Sequence, residues 1–311
     1  MSNLCYPRKT CQGTLQKRIG VTMVHYTLTH ASPGRFEFDI ASPASAYRDR
    51  TGHLSIWGVS KILQDAGTIC GLHDFIPLSQ NLVRDNIRLF LISEKCVMSP
   101  TFHTKFSWAE KLQKYHVTYT VSSVTPATLG NRQVLSDPDT GSWYLKSENK
   151  LVAVNWETRR SVKLPKSYYE SSSKLVDHEQ ASMMTRKQDA LIPPVTSFRT
   201  TTQTRYSDLD FNYHLNAAEY YRFCSDAASE ASLSGYYRHF TSDIVKYPLM
   251  QTEVTFLGEC GPGEKLTVYT WQDENDVTKL YFAIYLKEVR IFQACFIFDR
   301  NLSKNRVMAS L

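Results

Sequence analysis

No run in this chain approaches the roughly 18 consecutive apolar residues that a membrane-crossing helix needs, so no membrane span is predicted. Cysteine is sparse and unpatterned. The seven lie scattered at positions 5, 11, 70, 96, 224, 260 and 295. The number is odd and no CxxC pair occurs, which argues against a disulfide framework and against a zinc knuckle. A reducing compartment fits such usage. Acidic residues are missing from the first 36 positions, where Arg8, Lys9, Lys17, Arg18 and Arg35 stand alone. Residues 1–35 therefore read as a basic flexible arm or as an organelle transit peptide, which share that composition. Mitochondrion, plastid and cytoplasm all stay open. Low-complexity tracts are absent too. With 42% hydrophobic and 21% charged residues, the composition is that of a chain that buries a core, which excludes disordered and collagen-like classes.

What is present is length for about two domains, 311 residues at roughly 150 per domain. The net charge is +6, a surface that attracts acidic partners. Its charges are spread rather than bunched, and no nucleic-acid-binding motif accompanies them, so nucleic acid is not predicted as a partner.

The patterning divides the chain into two similar halves. Phe36–Ile40 alternates as a strand. Residues 52–72 carry Ile56, Val59, Ile62, Leu63, Ala66, Ile69 and Cys70 at helical spacing. Strand-like runs follow at Ile87–Ile92, Tyr115–Val124 and Trp143–Trp156, separated by turn sequences. Residues 166–196 are polar, open with Ser171, Ser172 and Ser173 in a row, close on Pro193-Pro194, and read as a linker. The order then repeats. Phe198–Tyr206 alternates, and a helix is predicted over Asn216–Ala231, with Asn216 as cap and Glu219 three residues on as in a capping box. Four strands follow at Thr252–Leu257, Lys265–Trp271, Leu280–Leu286 and Ile291–Phe298. The prediction is an α+β chain of two units, each wrapping one long helix in an antiparallel sheet, an order that resembles the hotdog fold. The units are residues 36–165 and 197–300, with a tail at 301–311.

The richest chemistry lies between a strand and a helix start, at Arg205-Tyr-Ser-Asp208-Leu-Asp210-Phe-Asn212-Tyr-His214-Leu-Asn216. Asp and Asn favour turns because their side chains satisfy local backbone N–H groups. That accounts for Asn216 and for Asp208, but not for Asp210, Asn212 and His214 in alternation. A calcium loop is a second reading, with Asp208, Asp210, Asn212 and Glu219 at positions 1, 3, 5 and 12 of the EF-hand pattern. Its sixth position, however, is Tyr213 where the turn demands glycine. The third reading is an enzyme site. On an extended segment, Asp210, Asn212 and His214 share one face, which opens at a helix N-terminus able to hold a developing oxyanion. A general base is then wanted, and Glu259, at a strand end beside Cys260, Gly261 and Gly263, is the candidate. On residue type alone Glu259 is a solvated turn carboxylate and Cys260 a small buried hydrophobe.

The run from Asp208 to Asn216, followed by a helix containing Tyr220, resembles the signature of plant and bacterial acyl-acyl carrier protein (ACP) thioesterases. Leu63-Gln64-Asp65-Ala66-Gly67, Trp156-Glu157-Thr158-Arg159-Arg160 and Glu259-Cys260-Gly261 resemble three further segments of that family, in the same order. The resemblance spans about residues 36–300 and implies a tandem double hotdog, the first holding the acyl chain and the second supplying the chemistry. It implies Asp210, Asn212, His214, Glu259 and Cys260 as catalytic residues, with no cofactor and no metal. Two departures stand out: Ala217 where the family has a second Asn, and Asp65 where it has Glu.

The expected reaction is hydrolysis of a fatty acyl thioester, with acyl-ACP or acyl-CoA as substrate. Glu259 activates water, and burial is expected to raise its pKa toward working pH. A rival mechanism uses Cys260 as nucleophile with His214 as its base. Arg159, Arg160, Lys163 and Lys166 form a basic cluster able to meet an acidic carrier or the phosphates of coenzyme A. A hotdog dehydratase or hydratase and a non-catalytic acyl binder are the alternatives. The resemblance also admits a homodimer.

Overall fold

A computed structural model describes residues 26–41, 47–73, 75–76, 79–106, 114–179, 182–184, 189–210 and 212–299. The first 25 residues of the basic arm and the tail at 301–311 lie outside the described residues. The first half contains β1 (Tyr26–Ser32), β2 (Arg35–Ala41), α1 (Ile56–Leu72), α2 (Ser79–Arg84), β3 (Ile87–Met98), α3 (Pro100–Lys105), β4 (Lys114–Val124), β5 (Thr128–Ser136), β6 (Trp143–Asn155) and α4 (Lys166–Ser173). The second contains β7 (Phe198–Gln203), α5 (Ala217–Leu233), β8 (Leu249–Phe256), β9 (Lys265–Gln272), β10 (Lys279–Leu286) and β11 (Val289–Phe298).

The strands form one antiparallel sheet of eleven, in the order β1-β2-β4-β5-β6-β3-β8-β11-β10-β9-β7. Each half curls around its own long helix, and two hydrophobic clusters result. One is built on Phe38, Ile62, Ile69, Val117 and Leu145, the other on Tyr221, Phe282, Phe292 and Leu266. This is the double hotdog. β3 and β8 zip the halves together, with Ser93 opposite Thr255 and Val97 opposite Gln251. This pairing brings the far ends of the sequence into one sheet.

Three expectations need correction. Residues 26–35 are not part of an arm, because Tyr26–Ser32 pairs along β2 and buries Tyr26 against Phe38. The stretch from 166 does not begin as a linker: α4 forms there and buries Tyr168 in the first core. Finally, β5 is a full strand where only turns separate the predicted strands. Its centre is Gly130-Asn131-Arg132-Gln133, buried although polar, so apolar alternation gave no signal.

Local chemistry explains the long helices. Ser55 caps α1, its hydroxyl oxygen accepting from the Gly58 N–H at 3.0 Å. Gly58 is required there, since a Cβ would sit 2.3 Å from the Tyr47 carbonyl oxygen. Asn216 caps α5 by accepting from the Ala218 N–H at 2.9 Å. The expected capping box does not form, because Glu219 turns instead to Lys61 of α1, at 3.2 Å, and to Arg222. The helices lie side by side, and Gln64 and Asn216 exchange two side-chain hydrogen bonds of 3.2 and 2.9 Å. A second polar contact joins α5 to β3 of the first half: Tyr221 donates to the buried Glu94 at 2.6 Å, and burial pushes the Glu94 carboxyl pKa up.

Asp65 also lies in α1. Burial pushes its carboxyl pKa up to about 6, against a hydrogen bond from Tyr47 and the charge of Lys61, which both favour the anion. A folded-state pKa above the unfolded one means that stability from this group is present below about pH 4 and lost as pH rises through about 6. Asp65→Asn is therefore expected to stabilise the protein at pH 7 by on the order of 1–2 kcal/mol and to change little at pH 4. Urea denaturation at the two pH values checks it. An equal effect at both would show that Asp65 does not titrate between them.

Candidate functional site

The Asp208–Asn216 segment folds back on itself instead of running extended. Leu209 and Leu215 pair across it, and the Asp210 N–H donates to the His214 carbonyl at 2.8 Å. Tyr213 turns the chain with φ of 61°, the left-handed region that a non-glycine residue occupies only where its surroundings hold it. Asp210 holds the loop from inside. Its Oδ1 accepts from the backbone N–H groups of Asn212 (2.8 Å) and His214 (3.3 Å), and its Oδ2 accepts from the Asn212 side-chain amide at 3.4 Å. Asp210, Asn212 and His214 thus come together through a turn rather than through strand alternation.

The calcium reading does not fit these contacts. Asp208 and Glu219 both accept from Arg222, and Asp208 also accepts from the Arg205 N–H at 2.8 Å. Carboxylates so engaged serve the chain's own cations.

Glu259 follows β8 in the turn that leads to β9. The Leu215 N–H donates to the Cys260 carbonyl at 2.8 Å, which ties this turn to the Asp208–Asn216 loop. His214 Nε2 lies 3.5 Å from Glu259 Oε2. The expected burial of Glu259 is absent. Its side chain is 47% exposed, because it ends a strand at the mouth of the site rather than in the core. Cys260 is the buried one, 3% exposed, its thiol directed to the Gly261 carbonyl at 3.5 Å. Burial chiefly pushes that thiol pKa up to about 11, with the charge of Glu264 adding to it. A thiol so placed stays protonated near neutral pH, and the protonated form is not the nucleophile. Tyr220 from α5 completes the wall. Its hydroxyl pKa is raised first by burial and then by the charges of Cys260, Glu259 and Asp210.

One residue of the basic cluster enters the site. Arg159 Nη2 donates to Glu259 Oε1 at 2.6 Å and to His214 Nε2 at 2.7 Å. Its guanidinium lies 4.7 Å from the Trp156 ring centroid and 5.1 Å from that of Phe90, and both rings also lie within 6.5 Å of the His214 imidazole. Arg160, Lys163 and Lys166 stay on the exposed surface. Sequence reading placed Arg159 with them as a docking cation. The available signal was Asn155, whose side chain accepts from the Glu157 and Thr158 N–H groups and shapes the turn that aims Arg159 inward.

Residues 204–301 match the family model of the thioesterase-like superfamily, a span that contains the loop, α5 and Glu259. Among solved structures, an acyl-ACP thioesterase from Bacteroides thetaiotaomicron superposes with a TM-score of 0.64 at 16% identity, covering 85% of this chain and 98% of that one. The 12:0-ACP thioesterase of Umbellularia californica gives 0.68 at 13% identity, over 85% and 94% of the two chains. The chain has the acyl-ACP thioesterase fold. No curated protein sequence matches the chain. Within that fold, the loop and Glu259 belong to the second hotdog and Arg159 to the first, so the cluster straddles the two. Among the described residues no group of His, Cys, Asp and Glu is arranged to hold a metal ion.

Proposed function

We propose that this protein hydrolyses fatty acyl thioesters to the free fatty acid and the carrier thiol. The observation that carries the reading is the meeting of imidazole and carboxylate, His214 and Glu259, at 3.5 Å on a loop shaped by Asp210. The family match of residues 204–301 and the acyl-ACP thioesterase fold support it.

In the proposed reaction Glu259 accepts a proton from water as the water oxygen attacks the thioester carbon. The carbonyl oxygen takes the negative charge, held by Asn212 and the N-terminus of α5. Collapse expels the thiolate, and His214 relays a proton to it. Asp210 keeps Asn212 and His214 in register. Half exposure of Glu259 suits this role, since water must reach the carboxylate. The acyl chain is assigned to the first hotdog, and the carrier to ACP or coenzyme A. Arg160, Lys163 and Lys166 remain as exposed cations for an acidic carrier.

The test is thiol release from a panel of acyl-ACP and acyl-CoA substrates of graded chain length, with wild type and Cys260→Ala side by side. The expected result is release by both, with kcat of Cys260→Ala within about threefold of wild type, because the thiol is protonated and buried. Loss of about 10²-fold or more in a well-folded Cys260→Ala would transfer the chemistry to a cysteine nucleophile. Absence of release from every substrate by wild type would refute the hydrolase reading.

A further inference from the structure

A cation stands fixed between the proposed base and the proposed imidazole, although water activation does not require one. Its backbone is held on every side. Asn155 accepts from the Glu157, Thr158 and Arg159 N–H groups at 3.2, 2.9 and 2.9 Å, and the Trp156 N–H donates to the Asn86 carbonyl at 2.8 Å. Arg159 itself has φ of 56°, a left-handed conformation that an arginine adopts only when the surrounding structure imposes it. Stacking on Trp156 and Phe90 then fixes the guanidinium, so the side-chain entropy is lost on folding rather than at each turnover. A docking cation for a flexible partner has no use for such constraint, and this side chain is only 31% exposed.

Its contacts with the pair have definite consequences. Guanidinium nitrogens only donate. Nη2 lies 2.7 Å from His214 Nε2 and 3.4 Å from Nδ1, so the nearer Nε2 is assigned as the acceptor and Nδ1 as the protonated nitrogen. Glu259 Oε1 accepts from the same Nη2, so one nitrogen bridges the carboxylate and the imidazole. We propose that Arg159 is a positioning residue of the hydrolytic site, holding Glu259 and His214 in one geometry with Nε2 of His214 as an acceptor, so that the first hotdog completes the site of the second. The role rests on the hydrolase reading given above. The other charged and titratable groups around the pair are Asp210 in the loop, Cys260 beside Glu259, Tyr220 on α5, and Arg88, whose guanidinium lies 5.7 Å from the Trp156 ring. None of these donates to both members of the pair as Arg159 does, so among the described residues its removal leaves them facing each other with no cation between them.

The test combines pH–rate profiles with NMR titration of the His214 ring in wild type, Arg159→Met and Arg159→Lys. In wild type at pH 7 the ring nitrogens are expected to show a neutral imidazole protonated on Nδ1. Arg159→Met removes the positive charge beside both groups, so protonation becomes easier for each. The acidic limb of kcat/KM and the His214 titration midpoint are both expected to move up by about one pH unit. A fall in kcat of about tenfold or more is expected, with KM within about twofold. Arg159→Lys keeps the charge, so its acidic limb should stay near that of wild type with an intermediate kcat. An unmoved limb and midpoint in an Arg159→Met protein that melts like wild type would reduce Arg159 to packing. A raised KM at constant kcat would return it to carrier docking. A wild-type imidazole protonated on Nε2 would overturn the assignment without any variant. If no substrate is hydrolysed yet the His214 midpoint moves as expected, the hydrolase reading falls while the hold of Arg159 on His214 stands.

Discussion

Glu259→Gln is expected to lower kcat for thioester hydrolysis by about 10²-fold or more, with KM close to that of wild type. The glutamine keeps the shape of the side chain and an oxygen that accepts from Arg159, and what it cannot do is take a proton from water. The loss therefore belongs to the chemical step and not to binding. The fold does not depend on this carboxylate. It is half exposed at a strand end, where a substitution shifts stability by only about 0.5 kcal/mol or less. Steady-state kinetics at saturating substrate, with a matched denaturation curve, separates the two effects. A kcat within about threefold of wild type would remove Glu259 from the mechanism, whatever His214 does.

Phe292→Ala is expected to have the largest effect on stability, a loss of about 3–5 kcal/mol. Phe292 is fully buried on β11 and joins three aromatic neighbours: Tyr220 at 5.0 Å, Phe256 at 5.2 Å and Tyr221 at 6.4 Å between ring centroids. It therefore anchors α5, the helix that follows the Asp208–Asn216 loop, to the sheet. Truncation removes the ring's transfer free energy and leaves a cavity that a strand clamped between β8 and β10 cannot close. The check is the urea midpoint with the slope of the transition unchanged. A loss under about 1 kcal/mol would mean that the helix is held elsewhere, for instance through Tyr221 and Glu94. The same variant should lose thiol release at temperatures where α5 loosens, since Asn216 and the loop are continuous with it.

The long helices were legible because their signals are local. The α1 stripe from Val59 to Cys70 and the Asn216 cap are set by residues within a few positions of each other. The same holds for β9, β10 and β11, whose apolar and β-branched runs announce them. Glu219 was misread for the complementary reason. A capping box is a local pattern, but Lys61 lies 158 positions away and reaches Glu219 only because α1 and α5 pack together. β5 was silent because its centre buries Asn131, Arg132 and Gln133, where period-two alternation expects apolar side chains. Tyr26–Ser32 reads as arm because it lies within the stretch that lacks acidic residues, and its pairing to β2 comes from backbone that composition does not describe.

The sequence by itself determined the two-part α+β order, the helix that starts at Asn216 and the candidates Asp210, Asn212, His214, Glu259 and Cys260. Each of these follows from neighbours in the chain, except that Cys260 as a catalytic candidate follows from the resemblance to the acyl-ACP thioesterases. Only the tertiary structure decided how those candidates stand to one another. It turned the loop with Tyr213 in the left-handed region, buried Cys260 while leaving Glu259 open, and brought Arg159 from one hotdog onto His214 and Glu259 of the other. The physical reason is the range of the forces involved. Propensity, capping and periodicity act over a few residues, whereas a hydrogen bond between positions 159 and 259 needs the pairing of β3 and β8 that joins the two halves.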